Sequence, residues 1–373
     1  MADKIRLTGP AATKISDFSR GRPTPSLLSM PSCIYCTDSD LTQEHHLPRA
    51  LGNFKGYVPL ANRVCKRHNG ICGQLDEQLC RCGSEAFFRK TLGISGRKRS
   101  DQVNPFYRGS SGGGALEMTG ICHETGEEKE LELVGPKSVQ ELRCVKLTAE
   151  DGSTYTIRIA DEMTREEFQR KVSAVGIKFF KLGEISAAPE EIPWVESLFD
   201  GFERQGEIEW KQPLGPTVYG PITVRFTLTD KYFRAIAKIG FHYFLTKFSR
   251  FRGDEPCFSE MRDFIVNGRP LDEINRFVTE SRHQFEYSLA TGETPRVWGH
   301  LIAAESSYMD FRANVQLFVG PERLPHTYTV QLGKNPSPIH YSEAYGNFFA
   351  YFPTEERIEF DGEVSELNTI TRS

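Results

Sequence analysis

The chain has 373 residues, of which 38% are hydrophobic and 26% are charged, and its formal net charge is −4. This composition excludes disordered and collagen-like proteins, and the length favours about two or three domains over a single core. The longest apolar run, at residues 241–245, is far shorter than the roughly 20 residues that span a bilayer, so we expect no membrane partner. Residues 1–10 contain no apolar stretch of signal-peptide length, so we expect a cytoplasmic protein with reduced cysteines.

Clusters of proline and glycine divide the chain into five predicted segments. Residues 1–30 contain several prolines and little periodicity, and we interpret them as an N-terminal arm. A cysteine-rich module occupies 31–100, and the sequence GSSGGG at 109–114 predicts a flexible linker over 101–115. A β-rich region follows at 116–190. A proline-containing stretch that begins near residue 187 then predicts a boundary, and a C-terminal α+β domain covers 191–373.

Local patterns predict individual elements in the last two segments. Alternation of polar and apolar residues at 130–133 and 154–159 predicts strands of an antiparallel sheet. Thr164, with a glutamate three residues later, is a capping-box pattern that predicts a helix to about residue 175. Further on, Asp230 is the predicted N-cap of one helix, and a second helix runs from Ser259 to a C-cap at Gly268. Together these patterns predict an α+β fold.

Two short cysteine motifs predict a metal site. A C-x-x-C pair and a C-x-x-H pair are separated by 28 residues. Thiolate and imidazole bind zinc well, and the two-residue spacing lets one tight turn present both donors to one ion. We therefore predict a structural Zn²⁺, whereas nearby Cys72 and Cys80 lack this spacing and are interpreted as packing residues. The predicted zinc ligands are Cys33, Cys36, Cys65 and His68.

The residues between and after these pairs follow a more specific pattern, in the sequences EHHLPRALG at 44–52 and NRVCKRHNG at 62–70. They resemble the zinc-bound branch of the HNH endonuclease family, whose pattern is C-x-x-C, then E/D-H-x-x-P with a following glycine, then N-x-x-C-x-x-C-N. His68 stands where this branch usually has a cysteine, and it remains a competent ligand. The resemblance implies a zinc-stapled ββα-metal nuclease module at 31–100, followed by one or two mixed α/β domains.

The resemblance also assigns chemical roles to four polar residues. Glu44 and Asn69 are the implied ligands of a catalytic Mg²⁺ or Mn²⁺, ions that prefer hard oxygen donors. His45 is the implied general base that takes a proton from the attacking water, and Asn62 is the amide that orients this histidine.

His46, which follows His45, leaves a second assignment open. Other family members use a His-His pair in which the second histidine is the base, and this would make His45 a metal ligand and His46 the base. The spacing to Pro48 favours His45 as the base. Each residue also has an ordinary structural explanation when taken alone. Glu44, for example, is equally typical of a capping or ion-paired carboxylate.

Positive charge is concentrated in the same part of the chain. Residues 44–100 contain eleven Lys and Arg against four Asp and Glu, a surplus of seven. A basic module suits contact with nucleic-acid phosphates, although charge alone is equally typical of a solvated surface. The candidate phosphate contacts are Arg49, Lys55, Arg63, Lys66, Arg67, Arg89, Lys90, Arg97, Lys98 and Arg99.

These expectations combine into a metal-dependent endonuclease that hydrolyses phosphodiester bonds, in DNA rather than RNA, with a role in restriction or phage defence. The alternative is a non-catalytic zinc module that binds nucleic acid or protein, and an RNA-directed or toxin-like nuclease also stays open. The four polar residues discriminate between catalysis and mere binding, because a structural zinc site does not need them. The C-terminal region carries no chemical motif, and by analogy we expect it to sense a signal, select the target or form a homo-oligomer.

Overall fold

A computed structural model describes residues 32–94, 116–133, 139–149, 154–159, 163–174, 180–186, 189–200, 209–211, 219–281, 298–320, 326–336, 343–351 and 358–362. The predicted arm at 1–30 and linker at 101–115 lie outside these residues, as do Arg97, Lys98 and Arg99. Within the described parts the fold is mixed α/β, with several sheets and helices, as expected for an α+β protein. None of the described helices is long and apolar enough to cross a membrane.

The first described part is a two-stranded sheet followed by two helices. β1 (Leu41–Glu44) pairs antiparallel with β2 (Leu60–Cys65), and α1 (Lys66–Cys82) begins directly after β2. α2 (Ser84–Thr91) completes this part. The register of the two strands shifts between Thr42 and Gln43, opposite Asn62, which has a φ of 54°. Asn62 therefore lies in a β-bulge, a distortion that changes the direction of a side chain.

The middle of the chain contributes two four-stranded sheets. One has the strand order β10-β3-β4-β5 and the other β7-β6-β8-β9. All described pairings are antiparallel here except that of β8 with β9. The elements of this part are β3 (Glu117–Cys122), β4 (Glu128–Leu133), β5 (Val139–Glu141), β6 (Cys144–Ala149), β7 (Thr154–Arg158), α3 (Arg165–Ala174), β8 (Phe180–Ser186), α4 (Ile192–Ser197), β9 (Glu209–Lys211) and β10 (Tyr219–Arg225).

The last part places two helices against a six-stranded antiparallel sheet. α5 (Asp230–Lys247) and α6 (Ser259–Asn267) precede strands that are ordered β11-β14-β13-β12-β15-β16 in the sheet. These strands are β11 (Val278–Ser281), β12 (Gly299–Ser306), β13 (Asp310–Val319), β14 (Thr327–Lys334), β15 (Glu343–Ala350) and β16 (Ile358–Gly362).

Several predicted elements are confirmed within a residue or two. The Thr164 hydroxyl accepts a hydrogen bond from the Glu167 amide at 3.2 Å, as a capping box requires. α6 begins at Ser259, and its C-cap Gly268 has a φ of 77°, a left-handed conformation that favours glycine. One boundary differs, because Thr229 is the N-cap of α5 and Asp230 is already helical.

α5 lies at the centre of the largest hydrophobic core. Thirteen of its 18 residues are buried, and it packs against α1, β2 and α6 as well as strands of the six-stranded sheet. Gly240 allows the close approach to that sheet, because a Cβ atom there would lie 3.0 Å from the Cβ of Ala313. The same core includes Ile34 and Leu79 from the first part and Phe349 from the last. The zinc-motif segment and the C-terminal sheet are thus packed around one helix.

Candidate functional site

The four predicted zinc ligands come together from two turns. Cys33 and Cys36 lie on a tight turn that precedes β1, where the Cys36 amide donates to the Cys33 carbonyl at 3.3 Å. Cys65 ends β2 and caps α1, and His68 lies in the first turn of that helix. The positive end of the helix dipole therefore faces the thiolates, an arrangement that stabilises their negative charge.

Distances between the donor atoms match a tetrahedral metal centre. The four ligand atoms all lie within 4.8 Å of one another. The Sγ atoms of Cys36 and Cys65 are 3.8 Å apart, and the Nδ1 atom of His68 is 3.2 to 3.7 Å from the three sulfurs. Zn–S bonds of about 2.3 Å and a Zn–N bond of about 2.0 Å require ligand separations of roughly 3.8 and 3.5 Å in a tetrahedron. The group therefore fits a structural zinc ion.

Neighbouring groups hold the zinc ligands in this geometry. The backbone amides of Tyr35 and Cys65 donate to the Cys33 sulfur at 3.4 and 3.3 Å. The Tyr35 ring stacks on the imidazole of His68 with 5.3 Å between centroids, and its hydroxyl shares a 2.7 Å hydrogen bond with His242 of α5. Such outer contacts fix the orientation of metal ligands.

β1 ends at Glu44, and the side chains of Glu44 and His45 point in different directions. Glu44 is only 4% exposed and its carboxylate faces α5. His45 is partly exposed and lines a cavity on the protein surface. The Glu44 carboxylate and the His45 ring share no hydrogen bond among the described residues. The Glu44 side chain thus faces the core and His45 faces the cavity, although the resemblance implies that both act at one catalytic site.

A fully buried lysine, Lys238 of α5, binds the Glu44 carboxylate. Its Nζ atom lies 2.9 Å from Glu44 Oε1 and 2.9 and 3.0 Å from the two carboxylate oxygens of Asp76. It also donates to the backbone carbonyl of His45 at 2.6 Å. Burial raises the pKa of Asp76 to about 7, against the lowering effect of the Lys238 charge. Burial alone would lower the pKa of Lys238, but the two carboxylates outweigh it and raise that pKa.

His45 forms the polar part of the surface cavity. Its Nε2 accepts a 2.9 Å hydrogen bond from Arg49 Nε, which leaves the proton of the neutral ring on Nδ1. Burial, with the charges of Arg49 and Lys238, lowers the pKa of His45 to about 4, so the imidazole is neutral at cellular pH. The cavity has a volume of about 240 Å³ and is lined by Gln43, His45, Leu47, Arg49, Gly52, Asn53, Phe54, Tyr57 and Pro59.

His46 is enclosed by the core. It is 2% exposed, and its ring packs on Tyr57 and Tyr243 with centroid distances of 4.5 and 5.4 Å. Neither ring nitrogen has a hydrogen-bond partner among the described residues. Burial and the Lys238 charge lower its pKa well below the ordinary value. The His46 ring is therefore inaccessible from the surface, unlike that of His45.

The two predicted asparagines lie on different elements, Asn69 on α1 and Asn62 on β2. The Asn69 amide group donates to the Thr42 hydroxyl at 2.7 Å and to the Gln43 carbonyl at 2.9 Å, which ties α1 to β1. Asn62 is exposed in the bulge of β2. Neither asparagine is hydrogen-bonded to the His45 ring among the described residues. Orientation of the His45 ring by Asn62 therefore stays a prediction.

The residues predicted to hold a catalytic Mg²⁺ or Mn²⁺ do not fit such an ion in this arrangement. The Glu44 carboxylate faces the interior and is already paired with the Lys238 ammonium. Asn69 uses its amide nitrogen to bind the Thr42 hydroxyl and the Gln43 carbonyl of β1. Both side chains are therefore engaged in other contacts. The zinc site fits its metal, whereas this pair does not.

The candidate phosphate contacts have different environments. Arg49, Lys55, Lys66 and Arg67 are exposed. Arg63 is tied to the carbonyls of Phe251 and Arg252, Arg89 is buried and donates to the Cys80 carbonyl at 2.8 Å, and Lys90 is partly buried. Arg89 is therefore a structural residue, which corrects its inclusion among the phosphate contacts. Cys72 and Cys80 are buried and do not belong to the metal group, as predicted.

Sequence reasoning missed the contribution of α5. Lys238 and His242 lie four residues apart in a helix that is otherwise largely apolar, and this interruption was the available signal. The pairing of Asp76 with Lys238 could not be predicted from the sequence, because the two residues are far apart in the chain.

Family models, curated proteins and solved structures all yield no match to this chain. The functional interpretation therefore depends on the residues themselves.

We predict that wild-type protein contains one zinc ion per chain and that Cys65→Ala contains almost none. Loss of zinc removes on the order of 10 kcal/mol of apparent binding energy, so the hairpin and α1 should lose their fold. Zinc content by mass spectrometry and unfolding by circular dichroism measure both effects. Cys72→Ala is the matched control and should keep its zinc. Equal zinc loss in both variants would contradict the assigned ligand set.

We predict that Arg49→Gln raises the pKa of His45 from about 4 toward the ordinary value of 6.5. The substitution removes a nearby positive charge and the donor to Nε2, while burial keeps the pKa below 6.5. An NMR titration of the His45 ring protons measures the shift. Arg81→Gln, which alters an exposed pair with Glu77 on α1, should leave the titration unchanged. A pKa near 6.5 in wild type would refute the described contact.

Proposed function

We propose that the zinc-bound hairpin and helix form a nuclease module in which His45 is the general base for hydrolysis of phosphodiester bonds. The observation that carries this proposal is the position of His45 in the wall of an open cavity, directly after β1, with Arg49 on its Nε2. A neutral imidazole can accept a proton, and an arginine can donate to phosphate oxygens. Base and cation are thus adjacent at an accessible surface.

In the proposed reaction, the oxygen of a water molecule attacks phosphorus while His45 takes one of its protons. The bond from phosphorus to the leaving sugar oxygen breaks, that oxygen takes a proton from solvent water, and His45 later returns its proton to solvent. A phosphate oxygen competes for the Arg49 guanidinium, which frees Nε2 of His45 to act as the base. The family resemblance supplies a catalytic Mg²⁺ or Mn²⁺ for such chemistry, but we assign it no step because Glu44 is paired with Lys238.

Nucleic acid is the proposed substrate, with DNA as the class tested first. Arg49 lies at the cavity, and Lys66 and Arg67 lie exposed at the start of α1. Exposed cations of this kind contact phosphates without reading sequence, so binding should weaken steeply as salt concentration rises. RNA contains the same phosphodiester linkage and is the parallel substrate in every assay.

A second candidate is a zinc module that binds nucleic acid or protein without catalysis. One observation favours it. Glu44, the implied metal ligand, instead makes a buried ion pair with Lys238, which is the ordinary structural use of a carboxylate. Both candidates share the zinc site, and they differ in whether His45 performs chemistry.

We predict that His45→Ala lowers the rate of phosphodiester cleavage by at least about 100-fold, because removal of a general base typically costs 100-fold to 10,000-fold. Cleavage of plasmid DNA and of single-stranded RNA is measured with and without Mg²⁺ or Mn²⁺. His123→Ala removes an exposed histidine from the β3–β4 turn and is the control, with unchanged cleavage expected. Binding by wild type without cleavage of either substrate would support the non-catalytic candidate instead.

A further inference from the structure

A buried positive charge lies beside Glu44, one of the two residues that the HNH resemblance implies as ligands of a divalent cation. We infer that the Lys238 ammonium takes the place of that cation in this chain, so that Glu44 and Asp76 form a cation site filled by a side chain. This inference rests on the proposed nuclease function, because it concerns the same site. Measurement of divalent-ion binding tests the inference without any cleavage assay.

The contacts of Lys238 account for every hydrogen that an ammonium can donate. Glu44 Oε1 and Asp76 Oδ1 both lie 2.9 Å from Nζ, and the His45 carbonyl lies at 2.6 Å. An ammonium has three donors, and besides these acceptors the second Asp76 oxygen lies at 3.0 Å and the His46 carbonyl at 3.4 Å. Two of the acceptors are carboxylates, the ligands that Mg²⁺ and Mn²⁺ would use. Lys238 thus supplies the two carboxylates with the positive charge that a divalent ion would otherwise supply.

The helix that carries Lys238 is too enclosed to withdraw it. Lys238 has no exposed surface, and α5 packs on α1, α6 and the six-stranded sheet. Gly240, two residues further, is held against Ala313 and Val330 by close contact. Displacement of the ammonium by a metal ion would leave a buried charge without its partners or would open the core. The lysine is therefore a resident cation of the folded chain.

A second group points to the same site. The Nδ1 atom of His242 lies 3.9 Å from Glu44 Oε1 and has no hydrogen-bond partner among the described residues. The ring is fully buried, and its Nε2 is bonded to the Tyr35 hydroxyl. An imidazole nitrogen near a carboxylate is a typical ligand of a transition-metal ion. Removal of the ammonium would therefore leave the His242 imidazole and the Glu44 carboxylate side by side without a cation.

The deciding experiment measures Mn²⁺ binding to zinc-loaded protein, by loss of the electron paramagnetic resonance signal of free Mn²⁺. Wild type and Glu44→Gln should bind Mn²⁺ equally, because Glu44 is not a metal ligand while Lys238 is present. Lys238→Met should gain one Mn²⁺ per chain with at least tenfold higher affinity than wild type. Adding Glu44→Gln to Lys238→Met should abolish this gain. Lys247→Met, on the same helix, is the control and should match wild type.

Two results would overturn the inference. The first is a Mn²⁺ site in wild type whose affinity falls tenfold or more in Glu44→Gln, because a divalent ion would then bind Glu44 despite Lys238. The second is a folded, zinc-containing Lys238→Met protein that gains no Mn²⁺ site. If Lys238→Met does not fold, the comparison of wild type with Glu44→Gln decides alone. Absence of cleavage by wild type would bear on the proposed nuclease and would leave these titrations unaffected.

Discussion

The ammonium of Lys238 joins two parts of the chain that lie far apart in sequence. It is buried in α5, and its partners are the Glu44 carboxylate at the end of β1 and the Asp76 carboxylate on α1. A buried charge is tolerated only when it is paired and hydrogen-bonded, so each of these groups depends on the other two. The hairpin, α1 and α5 must therefore assemble together. The carbonyl of His45 is held by the same ammonium, which fixes the backbone beside the cavity.

The metal-ligand group and Lys238 each hold a different part of the candidate site in place. The zinc group fastens the turn before β1 to the start of α1, and Lys238 fastens the end of β1 to α5. Tyr35 links the two, because its ring stacks on His68 and its hydroxyl bonds His242. Between these attachments, His45 and Arg49 face the cavity. His45 and Arg49 are thus accessible at the surface, whereas Glu44 and Lys238 hold the backbone beside them.

Local patterns in the sequence were sufficient for the zinc ligands and for elements such as α6. Ligand spacing within a turn and the glycine C-cap at Gly268 depend on residues a few positions apart, so they can be recognised without a fold. The environment of Glu44 could not be predicted in this way, because its partner Lys238 reaches it only through the packing of α5. The sequence pattern favoured His45 over His46 as the base only through the spacing to Pro48. Burial adds a distinction that the pattern could not supply, since His45 lines the surface cavity whereas His46 is 2% exposed.

The central claim is that Lys238 compensates the negative charges of Glu44 and Asp76, and an energetic cycle tests it most directly. Urea unfolding of wild type, Glu44→Gln, Lys238→Met and the double variant gives the free energy of unfolding of each. Lys238→Met alone should lower the free energy of unfolding by about 3–5 kcal/mol, because it leaves the buried Glu44 carboxylate and the partly buried Asp76 carboxylate without a cation. The change in the free energy of unfolding caused by Glu44→Gln should then be more stabilising, by at least about 1 kcal/mol, in the Lys238→Met protein than in wild type. Equal effects of Glu44→Gln in both proteins, within about 0.5 kcal/mol, would contradict the account.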